Sequence, residues 1–152
     1  MDRSIERTRR TRVVGPKRGP DLVEMLRDLA IVFRAESGIA CRVTLDVAHA
    51  FCDSALGTLI NRGMSLLLQQ VSKRAVATLV ALSIGEGSDE SIVIRVDVDE
   101  PDGVQVEEPP PAMRARVTRM RALLLELGVR LETDAHSASA ILIVPSALVS
   151  VG

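Results

Sequence analysis

Residues 53–74, DSALGTLINRGMSLLLQQVSKR, and residues 77–99, ATLVALSIGEGSDESIVIRVDVD, hold the change of rhythm that decides the fold. In the first stretch Leu56, Leu59, Ile60, Met64, Leu67, Leu68 and Val71 return every three or four residues, the repeat of a helix with a broad apolar face. Asp53 or Ser54 offers an N-cap oxygen, and Lys73 and Arg74 suit the negative C-terminal end. In the second, with Val76 just before it, Val80, Leu82 and Ile84, then Ile92, Ile94, Val96 and Val98, follow the period-two pattern of strands buried on one side. Residues 85–89, Gly-Glu-Gly-Ser-Asp, turn the chain between them, so these two runs are expected to form a β-hairpin.

Working outward, Leu22, Met25, Leu26, Leu29, Val32 and Phe33 predict an earlier amphipathic helix, with Asp21 placed to cap its start and Gly38 to end it. Ile39, Cys41, Val43, Leu45 and Val47 then alternate as a strand. Downstream, residues 99–111 are acidic and end in Pro109, Pro110 and Pro111, which reads as a loop that no helix or central strand accepts. A third helix carries Met113, Val117, Met120, Leu124 and Leu127 on one face, with Gly128 at the C′ position. Its arginines, Arg114, Arg116, Arg119 and Arg121, read as solvated surface. Val129–Thr133 and Ala140–Val144 make a closing hairpin around residues 134–137. The order α-β-α-β-β-α-β-β has too few parallel crossovers for a doubly wound sheet. It predicts an α/β (α+β) sandwich, with a mixed sheet of about five strands and three helices on one face.

Composition narrows the chemistry. The 152 residues suit one domain, 21–152, behind a basic arm, 1–20, that holds Arg3, Arg7, Arg9, Arg10, Arg12, Lys17 and Arg18 against Asp2 and Glu6. That arm reads as a solvated, disordered tail, and no nucleic-acid partner is expected. With two Phe and neither Trp nor Tyr, the core must be aliphatic and base-stacking platforms are all but excluded. Cys41, Cys52, His49 and His136 are too few and too scattered for zinc-ligand spacing, so no metal site is expected from them. No signal peptide or membrane-length apolar run is visible, and a reducing cytoplasm is the expected location. His49 and His136 read as exposed bystanders in turns, the proximity of Cys52 to His49 as chance, and no nucleophile–base–orienter set can be drawn.

The element order, with the local sequence from about Asp21 to Leu148, resembles the ATP-binding domain of histidine kinases in the GHKL superfamily of ATPases. The closing segment Met113 to Pro145 is similar to the small version of that domain found in kinases related to the nitrate and desaturase sensors. The resemblance implies a nucleotide site, and each of its motifs is altered here. In the family the second helix bears a Glu and, four residues on, an Asn that holds magnesium. Arg62 and Leu66 stand at those positions. An arginine stays protonated and cannot serve as a base, and leucine offers no oxygen to a hard cation. The family's Asp-x-Gly-x-Gly, whose Asp takes the adenine amino group, corresponds to residues 99–103, where Asp99 and Gly103 match and Pro101 replaces the first glycine. Pro109–Pro111 stands where the family has a glycine-rich, phosphate-cradling segment, and residues 137–140 replace its last Gly-Thr motif.

The resemblance therefore implies a degenerate relative of two-component signalling with no catalytic residue and no bound cofactor or metal. Its expected partner is a response regulator or the helical hairpin of a kinase, its oligomeric state open. The arm reads as too short and too charged to be the phosphoacceptor hairpin itself. The alternative is residual ATP binding or hydrolysis with magnesium, in which Arg62 meets phosphate and Asp99 and Gly103 hold adenine.

Overall fold

Asp21 begins the first helix by accepting a hydrogen bond from the Val23 N–H at 3.0 Å. Helix α1 (Leu22–Ser37) runs to Gly38, which adopts the left-handed conformation at φ 74° and returns its N–H to the Arg34 carbonyl. Helix α2 (Ser54–Ser72) starts in the same way, with the Asp53 carboxylate accepting from the Leu56 N–H at 2.8 Å. Of the two capping candidates there, Asp53 is the one used. Helix α3 (Pro111–Glu126) has no side-chain cap at all: Pro110 precedes it and Pro111 occupies its first turn. These coordinates come from a computed structural model that describes residues 19–73, 77–99, 109–134 and 139–151.

The strands alternate as their sequences require. Strands β1 (Ala40–Leu45), β3 (Leu79–Glu86), β4 (Ile92–Asp99), β6 (Ala140–Val144) and β5 (Arg130–Thr133) lie in that order in one mixed sheet. Strands β1 and β3 are parallel, and every other neighbouring pair is antiparallel. Register aligns Cys41 with Val80, Leu82 with Val96, Ile94 with Leu142, and Leu142 with Leu131, so the buried members of all five strands share one face. They join Leu26, Ile60, Met64, Leu67 and Leu124 from the helices in a single aliphatic core. The opposite face carries Arg42, Thr44, Arg95, Asp97, Arg130 and Glu132, all exposed. Three helices thus cover one side of a five-stranded sheet, the sandwich expected from the pattern of residues.

Three features differ from expectation. Residues 50–51 and 150–151 form β2 (Ala50–Phe51) and β7 (Ser150–Val151), an antiparallel pair beside the main sheet. Two-residue strands have no periodicity to read, and only the return of the C-terminus brings them together. Pro111 lies inside a helix because the first helical position has no use for an N–H, so a proline there is tolerated. Leu127 is the C-cap of α3 and is 43% exposed, so it falls past the apolar face it was assigned to. The arm of residues 1–18, Arg74, Val76, residues 100–108 with Gly103, and His136 lie outside the described residues.

Candidate functional site

One face of α2 opens into a groove of about 530 Å³ bounded by all three helices. Arg62, Leu66 and Gln69, spaced one turn apart, form the α2 wall. Val32, Phe33 and Glu36 stand opposite on α1, and Arg116, Arg119, Met120 and Leu123 close it from α3. Its apolar part is open: Val32 is 51% and Leu123 39% exposed, whereas Leu66 is only 8% exposed. Among the described residues on the walls, Glu36 is the only carboxylate and Arg62, Arg116 and Arg119 are the only cations. Among the described residues none of these three arginines makes an ion pair or hydrogen bond.

The α2 face that reads as the magnesium-holding face by resemblance is therefore a wall of a real groove. Arg62 and Leu66 are brought together on it. Asp99 is not among its lining residues. It ends β4, its side chain exposed, and its carbonyl accepts hydrogen bonds from the Thr78 N–H at 3.0 Å and from Thr78 Oγ1 at 3.1 Å. Gly103, the third candidate, lies outside the described residues. A Mg²⁺ ion needs several well-placed oxygen ligands, and neither Arg62 nor Leu66 offers one; the oxygen-bearing side chains among the described wall residues are Glu36, Ser37, Asn61, Ser65, Gln69 and Ser72.

The arginines of α3 do not form one class, contrary to their reading as plain surface. Arg121 reaches β5, donating from Nε to the Leu131 carbonyl at 3.2 Å and from a terminal nitrogen to Thr133 Oγ1 at 2.9 Å. Arg116 and Arg119 turn to the groove instead. The signal in the sequence was their spacing with Met120 and Leu123, which puts all four on one helical strip. Met120 also meets α2 closely: a Cβ built on Gly63 would stand 3.3 Å from Met120 Cγ.

At the start of α1 His49 has a partner, so it is not the bystander expected from its turn. Its Nδ1 lies 2.8 Å from Asp21 Oδ2 and its ring stacks on Phe51 at 5.2 Å. Asp21 Oδ1 also accepts from the Ala50 N–H at 2.8 Å. Burial pushes the Asp21 carboxyl upward, but the Ala50, His49 and Val23 donors outweigh it and hold the group below its ordinary value. Cys52, beside this cluster, behaves in the opposite sense. Burial first, then the charges of Asp53 and Asp21, push its thiol up to about 11. A thiol held protonated is a poor nucleophile.

Solved structures share this fold. The chain is similar to a blue-light activated histidine kinase of Erythrobacter litoralis EL346, with a TM-score of 0.62 and 16% identity over 84% of this chain and 46% of that one. It is similar to the mycobacterial sensor histidine kinase MprB, with a TM-score of 0.58 and 12% identity over 83% of this chain and 96% of that one. It is also similar to the ATP binding domain of PrrB from Mycobacterium tuberculosis, with a TM-score of 0.56 and 18% identity over 83% and 94% of the two chains. Its match spans somewhat under half the length of the Erythrobacter protein. No family model and no curated protein sequence matches. Identities this low establish a shared fold, that of the histidine kinase catalytic domain.

Proposed function

Starting from a chain with the fold of a histidine kinase catalytic domain, we propose a cytoplasmic module of two-component signalling that has lost magnesium-dependent phosphoryl transfer and acts by binding a signalling partner. The observation that carries this reading is the pairing of Arg62 and Leu66 on one wall of the groove. Phosphoryl transfer works almost entirely by positioning and by neutralising charge through Mg²⁺. Removing the metal's oxygen ligand from a site otherwise kept folded deletes that contribution and leaves a surface. The partner is a response regulator or the helical hairpin of a kinase. Among the described residues no helix is long and apolar enough to cross a membrane.

A second reading, residual nucleotide binding, draws on the three arginines around the groove, since guanidinium groups meet phosphate through charge-assisted, bidentate hydrogen bonds. In it Arg62 contacts phosphate while Asp99 and Gly103 hold the adenine. Calorimetric titration of the full chain with ATP, with and without Mg²⁺, separates the two. The silent module shows no magnesium-enhanced binding, whereas the double variant Arg62→Glu, Leu66→Asn gains it. Micromolar binding by the wild type that disappears in Asp99→Ala overturns the proposal. Partner binding is checked separately with purified receiver domains and kinase helical hairpins from the same organism, of which at least one is expected to be retained.

A further inference from the structure

The groove is both apolar and cationic. Its apolar lining includes Phe33, Leu66, Met120 and Leu123, while among the described lining residues Arg62, Arg116 and Arg119 face only Glu36 in charge. Three cations against one anion among the described lining residues leave a charge of +2 there, in a chain whose formal net charge is −1. Its volume, about 530 Å³, falls in the range of small-ligand sites. An adenine nucleotide has no long aliphatic part to cover Val32, half exposed on α1, or Leu123 on α3.

We propose that this groove binds a small anionic amphiphile: a phosphate monoester carried on an aliphatic chain, free in solution rather than part of a bilayer. A phosphate monoester near neutral pH carries roughly −1.5 to −2 charges, which balances the excess on the walls. The guanidinium groups of Arg62, Arg116 and Arg119 receive the head, and its chain lies along the exposed Val32 and Leu123 and the half-buried Met120, above the buried Phe33 and Leu66. Leu66 then has a positive role, giving the chain an apolar floor. The inference concerns the groove alone and holds whichever macromolecular partner the chain has.

Calorimetry of the full chain with butyl, hexyl and octyl phosphate tests it. Binding is expected to tighten roughly fourfold for each added methylene, the gain from burying it. Inorganic phosphate and octyltrimethylammonium are each expected to bind at least about tenfold more weakly than octyl phosphate. Arg119→Gln, an exposed substitution whose fold is checked by circular dichroism, is expected to weaken octyl phosphate about tenfold. Affinity independent of chain length, equal binding of octyltrimethylammonium, or no effect of Arg119→Gln overturns the proposal. So does sedimentation with vesicles bearing a phosphate monoester lipid when octyl phosphate does not bind. An ATP titration that sinks the silent-module reading leaves this series to be judged by its own outcomes.

Discussion

Asp21 does three things with one carboxylate: it caps α1 through Val23, accepts from the Ala50 N–H, and meets His49. Its side chain is 7% exposed, so removing it strands donors that water reaches poorly. Loss of an N-cap costs about 1 kcal/mol and a stranded buried donor about 1–3 kcal/mol. Asp21→Ala is therefore expected to lower stability by about 2–3 kcal/mol in urea unfolding. The same residue shapes the acid limb. Its folded-state pKa lies below the ordinary 3.8, so its stabilising contribution is fully present above that value and is lost as pH falls through the folded-state pKa. Asp21→Asn, which keeps a capping oxygen, is expected to flatten the decline of stability below about pH 4, measured by denaturant titrations at several pH values. Cys52 gives a simpler readout. With its thiol pushed up to about 11, iodoacetamide at pH 8 is expected to label it only after unfolding, as followed by mass spectrometry.

Two glycines of α2 look alike in sequence and behave differently in packing. A Cβ on Gly57 would lie 2.5 Å from the Pro20 ring, which cannot swing aside. At Gly63 the neighbour is Met120 Cγ at 3.3 Å, the middle of a flexible side chain. Alanine in a helix interior is worth about 1 kcal/mol over glycine, and overpacking costs about 1–3 kcal/mol. Gly57→Ala is thus expected to destabilise by about 1–2 kcal/mol, and Gly63→Ala to be neutral or slightly stabilising, both by thermal or urea unfolding. At this scale the sequence was legible wherever one element's own chemistry decided the outcome. Asp21, Asp53 and Gly38 sit at the helix ends they were assigned to, because caps answer to backbone groups within a few residues. Pro111 departs from the loop its sequence suggests because proline is excluded from a helix interior but not from its first turn.

Across the molecule, the helices are held unequally. Helix α2 buries nine residues against both neighbours and the sheet, whereas α3 buries only Met113 and Leu124. Arg121 supplies part of the difference by binding β5. Amide hydrogen exchange is expected to show the interior of α3 opening at a lower free energy than that of α2. Arg121→Ala, which removes both bonds to β5, is expected to widen that gap by about 1–2 kcal/mol. The weaker attachment of α3 bears on the groove, because this helix brings two of its three arginines.

The identity of the helices, the alternation of the sheet and the placing of Arg62 and Leu66 on one face of α2 were all contained in the order of residues. Each depends on periodicity or on side chains one turn apart. The strand pairing of residues 50–51 with 150–151, the partner of His49 and the meeting of Arg62 with Arg116 and Arg119 were not. Each joins residues separated by a stretch of chain whose path is set by burial of the common core, and no local pattern encodes where that path brings two surfaces together.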